Sequence, residues 1–152
     1  RWEDNAGKPC DQRADPLLVL KKMGFIGGQQ FSSLQEMMQG EEAEFFRTKL
    51  NELVLLVATM PKTGETDSQG SDAIVHLHYF AGGQANFYIT EKDVGCANDD
   101  ADSIQSQAFG KADLFGDGGE LGYISLNEII QNNGELDLYW APKPLKECVR
   151  LI

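Results

Sequence analysis

Between residues 62 and 72 the hydrophobic period of this chain changes, and that change limits the folds open to it. Upstream, Phe46, Leu50, Leu53, Val54 and Val57 recur at spacings of three and four, one apolar stripe on a helix predicted over 41–60. Glu41, Glu42 and Glu44 sit in its first turn, where the positive end of the helix dipole favours anions, and Pro61 ends it. Downstream, residues 73–81 (AIVHLHYFA) and 85–92 (ANFYITEK) alternate and are rich in β-branched and aromatic residues. Joined across Gly82-Gly83, they read as a hairpin. The polar stretch between the two regimes, KTGETDSQGSD, is the best internal boundary. Helices first and antiparallel strands afterwards mean an α+β fold.

The remaining punctuation fills in that architecture. Residues 1–14 (RWEDNAGKPCDQRA) read as a polar tail or linker ahead of a single domain over 15–152. Within the domain, 15–60 is the helical part, 62–72 the connection and 73–152 the sheet-containing part. Asp15-Pro16 offers an N-cap and a first-turn proline for a helix over 15–23 that ends at Gly24, with Gly27-Gly28 in a loop. Ser33 with Glu36 is a capping box for a helix over 33–39, stopped by Gly40. Strands are predicted over 106–114 and 120–124, linked through Gly116, Gly118 and Gly119. Ser125 with Glu128 opens a further helix, which Gly134 ends. Residues 135–140 (ELDLYW) read as a last alternating strand, and Pro144 as the start of a short C-terminal helix. The expected sheet has about four to five antiparallel strands, with a helix between the last two. At 152 residues a single core suffices, and no disulfide or metal is needed to fold it.

Charge is distributed unevenly. The chain carries 13 Lys plus Arg against 24 Asp plus Glu, a net of −11. Residues 63–140 hold fourteen acids and only Lys92 and Lys111, a net of −12, so the remainder stands at +1. This balance argues against direct nucleic-acid binding, which needs cations to replace phosphate counterions, and against docking on an anionic membrane. It suits an encounter with a basic protein. Asp99, Asp100, Asp102, Asp113, Asp117 and Glu120 are the carboxylates of that candidate binding face. The competing reading is that acidity only keeps the domain soluble.

Cys10, Cys96 and Cys148 are widely spaced and odd in number, which points to free thiols in a reducing cytoplasm. The longest apolar run, residues 53–60, is far shorter than a membrane span. The start at Arg1, with no charged-then-apolar leader, suggests no signal peptide and either a trimmed product or an excised region.

Signals for chemistry are sparse. His76-x-His78 puts two imidazoles on one strand face, and Glu91, Asp93 or Cys96 would have to complete a metal site. With two histidines in the whole chain, a polar strand face is the better reading, and no metal or cofactor is expected. Asn98, Asp100 and Asp102 have the spacing that starts an EF-hand loop, but Ser103 replaces its glycine and Phe109 its glutamate. Thr90, Glu91, Lys92 and Asp93 at a strand end could cluster with Glu120 and Tyr123, although a charged strand terminus explains them as well. There is no GxSxG, no Cys beside a His, and no glycine pair placed to cradle a phosphate. Trp140 fits the edge of a core, with a contact role the lesser reading.

The blocks SDAIVHLHYFAGG (71–83), ANFYITEKD (85–93), QAFGKADLF (107–115), GGELGYISLNEII (118–130) and ELDLYWAPKPLKE (135–147) resemble one family. It is an uncharacterised domain of plasmids, phages and integrative elements, found alone or within large multidomain proteins of mobile elements. The resemblance covers roughly residues 60–150, in order and with similar spacing. Asn86-Phe87-Tyr88 stands where relatives read Asp-Trp-Tyr, and the 93–106 loop is expanded. The family has no established catalytic residues, so the resemblance implies a genomic setting and no mechanism.

Three functions follow as expectations. The first is a non-enzymatic, protein-binding accessory domain of a mobile element. Its acidic face would act on host defence or DNA-processing proteins, to the point of mimicking DNA. The second is a metal-assisted hydrolase using His76, His78 and Glu91. The third is a structural or assembly module whose helices over 15–60 pack on another chain.

Overall fold

A computed structural model describes residues 15–66, 68–82, 84–93, 107–115 and 119–148. Three helices come first: α1 (Pro16–Lys22), α2 (Gly28–Met37) and α3 (Ala43–Thr59). After a short 3-10 turn at Gly70–Asp72 come the strands β1 (Ile74–Val75), β2 (Leu77–Ala81), β3 (Ala85–Glu91), β4 (Ala108–Asp113) and β5 (Glu120–Ile124). Helix α4 (Leu126–Gln131) separates β5 from β6 (Glu135–Leu136), and β7 (Lys143–Pro144) leads into α5 (Leu145–Cys148). The fold is α+β, with an antiparallel five-stranded sheet in the order β5-β4-β3-β2-β6 and a small β1-β7 ladder.

The two hydrophobic periods account for the two layers. Phe46, Leu50, Leu53 and Val57 are the buried side of α3, as the stripe predicts. They meet Leu17 and Leu20 of α1 and Leu34 of α2, and the sheet closes this core with Leu77, Tyr79, Ile89, Ala108, Ile124 and Leu136. The Tyr79 hydroxyl, wholly buried, donates to the carbonyl of Phe25, which ties the sheet to the loop after α1. Register pairs Leu77 with Ile89, Tyr79 with Phe87, Ile89 with Gly110 and Ala108 with Ile124, so these residues share the helix-covered face. His78, Phe80, Asn86, Tyr88, Lys111, Leu121 and Tyr123 fall on the opposite, open face.

Several boundaries differ from the sequence reading, each for a local reason. Asp15 caps α1 as expected, its Oδ1 accepting from the Leu17 N–H at 3.1 Å. Helix α2 begins at Gly28, upstream of the Ser33–Glu36 box, which lies inside the helix. Gly27 is needed there because a Cβ would lie 2.6 Å from Ile130 Cγ2 of α4. The strand expected over 73–81 is split, since Ile74 and Val75 pair with Pro144 and Lys143 while Leu77 onward pairs with β3. The strand expected over 135–140 stops at Leu136. There Asp137 turns the chain by accepting from the Tyr139 N–H at 3.0 Å. Pro144 belongs to β7, and the last helix starts one residue later. Ser125 caps α4 through the Glu128 N–H at 3.1 Å, but Asn133, not Gly134, takes the left-handed φ of 68° at its end. Gly134 serves close approach instead, with its N–H 2.7 Å from the Ile129 carbonyl.

Candidate interaction surface

The residues that looked chemically promising are engaged within the fold. His78 Nδ1 lies 2.9 Å from Asp137 Oδ2 and Nε2 lies 2.8 Å from Asn86 Oδ1. The ring is stacked on Tyr88 at 5.2 Å and tilted against Trp140 at 4.9 Å. The Trp140 indole N–H donates to the Val75 carbonyl at 2.9 Å, so this tryptophan is a pinned core-edge residue. Both nitrogens of His78 therefore face oxygens of this chain, and a metal would have to displace one of those contacts. Lys143 extends the stack, its ammonium 4.9 Å from the Trp140 ring centroid. Burial, and then the nearby carboxylate of Asp113, push the Tyr88 hydroxyl above its ordinary value. Cys148, the one free thiol among the described residues, is half-buried and raised by that burial, the opposite of an activated nucleophile.

Glu91 is directed elsewhere. A register shift between Ile89 and Glu91 inserts Thr90 as a bulge, and Ile89, Thr90 and Glu91 are all buried in succession. One carboxylate oxygen of Glu91 accepts from the Gly64 N–H at 2.7 Å, and the other from the Thr66 N–H at 2.7 Å and the Thr66 hydroxyl. Lys92 reaches the other way and donates from Nζ to the Val57 carbonyl at 2.5 Å, capping the C-terminal end of α3. Asp93 accepts from the Gln107 N–H at 2.8 Å. Residues 90–93 thus anchor α3 and the 61–66 turn to the sheet. Glu120 and Tyr123 lie two strands away on β5, so the polar cluster envisaged from sequence does not assemble. Among the described residues no three His, Cys, Asp or Glu side chains are placed to hold a metal ion.

His76 stands apart. It precedes β2, donates its backbone N–H to the Ile89 carbonyl at 2.9 Å, and keeps a buried Nδ1 with no hydrogen-bond partner among the described residues. Burial lowers its pKa below the usual 6.5. The unfolded chain then binds more protons than the folded one, so stability present above 6.5 is lost as pH falls through the lowered folded value. The urea midpoint of the wild type is expected to drop between pH 7.5 and 5.5, and His76→Gln to drop less over the same interval.

Of the acidic candidates, Asp99, Asp100 and Asp102 lie outside the described residues, as do Asp117, Cys96, Trp2 and most of the EF-hand-like stretch. Asp113 is buried within β4, and Glu120 is exposed at the start of β5. What sequence reasoning missed is apolar. Phe115 (73% exposed), Tyr123 (69%), Leu121 (50%) and Leu114 (48%) are gathered at the β4–β5 end of the sheet. A shallow groove of about 400 Å³ lies there, lined by these four together with Ala112, Glu120, Gly122 and Ile124. Strand β5 pairs only with β4, and no described strand covers its outer edge. The outer edge of β5, uncovered among the described residues, thus runs beside a cluster of exposed apolar side chains.

No family model matches the chain, and neither a curated protein nor a solved structure does. No helix among the described residues is long and apolar enough to cross a membrane.

Proposed function

We propose that this chain is a non-enzymatic protein-binding domain whose partner, a basic protein, lays an extended segment along the outer edge of β5. The observation that carries this reading is the exposed group Leu114, Phe115, Leu121 and Tyr123 beside that edge. Main-chain hydrogen bonds would supply affinity, and the side-chain groove would supply selectivity. The basic character of the partner follows from Glu120 at the groove and from the net of −12 over residues 63–140. The engagement of His78 and Glu91 in internal hydrogen bonds is the reason to prefer binding over metal-assisted hydrolysis. Assembly through helices 15–60 has less support, because their apolar stripes are buried against the sheet. An accessory role in a mobile genetic element, on cytoplasmic host defence or DNA-processing proteins, completes the proposal and rests on the sequence resemblance.

The test is selection of a random-peptide display library on the full chain. Peptides alternating apolar and basic residues should be enriched, and their binding should weaken as salt rises. The variant Leu121→Asp/Tyr123→Asp should lose roughly tenfold or more of that affinity. Enriched peptides without basic residues, or peptides indifferent to the double substitution, would contradict the proposal.

A further inference from the structure

The exposed apolar residues form a second group at the opposite edge of the sheet. Met37, Phe80 and Tyr139 line a cleft of about 390 Å³ between α2 and the 135–139 segment, and exposed Phe45 stacks on Tyr139 beside it. Its floor is apolar, made by Leu34, Phe46 and Leu136. The volume lies in the range of small-molecule sites.

One detail decides what kind of ligand fits. The edge of β6 would ordinarily invite an added strand, but Gln30 of α2 already occupies it. Its carboxamide nitrogen donates to the Leu136 carbonyl at 2.9 Å, and its oxygen accepts from the Leu136 N–H at 3.0 Å. A side chain thus makes the pair of bonds that a neighbouring strand would make, and a peptide cannot pair there. What remains open is the cleft itself, which is the scale of a small molecule.

The charge of the lining is one-sided. Glu135 and Asp137 contribute carboxylates, and no described Lys or Arg lines the cleft. Asp137 is occupied, one oxygen by His78 and the other by the Tyr139 N–H. The carboxylate of Glu135, exposed and opposite Phe80 in register, has no hydrogen-bond or ion-pair partner among the described residues. The Tyr139 ring already attracts a cation from outside the lining, with Lys49 Nζ 5.9 Å from its centroid.

The geometry points to a binding site for a small amphipathic amine, its apolar body over Leu34 and Phe46 and its ammonium between Glu135 and the Tyr139 ring. Gln29 and Ser33 border the same space and supply the remaining polar contacts. This site lies on the edge remote from β5, so its failure leaves the protein-binding reading untouched.

The experiment is a titration of the isotope-labelled full chain with tryptamine, with neutral tryptophol and anionic indole-3-propionate as comparisons, read by amide chemical shifts. Tryptamine should perturb amides over 29–37 and 135–139, and should bind about twofold to fivefold more tightly than tryptophol. Glu135→Gln should remove that preference while leaving tryptophol binding unchanged. Ser33→Phe should fill the cleft and abolish binding of both. Shifts centred elsewhere, equal binding of the three compounds, a preference that survives Glu135→Gln, or no binding of tryptamine would each overturn the assignment.

Discussion

Replacing Gly110 with alanine is expected to destabilise the fold by about 3 kcal/mol or more, the upper end of what overpacking costs. Gly110 sits in the middle strand pair, opposite Ile89 on β3 and Gly122 on β5. A Cβ there would lie 1.9 Å from the Tyr88 carbonyl oxygen and 3.0 Å from the Ile89 Cα. The obstruction is backbone, which cannot turn aside as a side chain does, so β3 and β4 would have to separate beside the Thr90 bulge. For a chain of this size, 3 kcal/mol corresponds to a fall in Tm of roughly 6–12 °C. Gly122→Ala is the internal control. It lies directly across the ladder from Gly110, yet a Cβ there meets nothing within 4 Å. Thermal unfolding should show a large loss for Gly110→Ala and a change near zero for Gly122→Ala. Equal effects would mean that strand propensity, not close approach, governs the position.

Glu91→Ala should be comparably severe. Glu91 is 1% exposed, and its carboxylate is the acceptor for two backbone N–H groups and one hydroxyl. Removing it leaves the buried Thr66 N–H and hydroxyl and the N–H of exposed Gly64 without an acceptor, at about 1–3 kcal/mol for each buried unsatisfied group. These terms do not add fully, because a released turn can admit water, and a total of roughly 3–5 kcal/mol is expected. Thr66→Val removes one donor and leaves the carboxylate its two N–H partners, so it should cost roughly 1 kcal/mol. The distinguishing readout is hydrogen exchange at the Gly64 and Thr66 amides. Both should lose protection in Glu91→Ala well before the sheet unfolds. Retained protection would show that the carboxylate is not what holds the turn.

These two positions also show where sequence reasoning succeeds and where it stops. The α+β class, the order of the elements and the buried stripe of α3 were legible, because periods of 3.6 and 2 are local properties of the chain. The cap at Asp15 was legible for the same reason. Glu91 stood out in the sequence as a candidate ligand, but the donors its carboxylate accepts from lie 25 and 27 residues away in the chain. Nothing local distinguishes a carboxylate that ties down a remote turn from one that holds a metal. The same holds for His78, whose partner Asp137 is 59 residues away. Gly110 gives no sequence signal beyond a glycine within a strand pattern, which marks either a bulge or close approach. The exposed apolar cluster at the β4–β5 end of the sheet was hidden differently. Leu121 and Tyr123 belong to an ordinary alternating strand, and their exposure follows from their lying on the face away from the helices in the strand that ends the sheet order. The acidity that drew attention first is partly internal, since Asp113, Asp93 and Glu91 are buried.

The proposal that this domain binds along the outer edge of β5, which no described strand covers, is tested most directly by backbone hydrogen exchange. The full chain would be exchanged with and without a peptide selected for alternating apolar and basic residues. The account predicts new protection at amides of Leu121–Ile124, with β2 and the helices unchanged and no protection in the Leu121→Asp/Tyr123→Asp variant. Protection confined to α1–α3, or to the 135–139 segment, would contradict it.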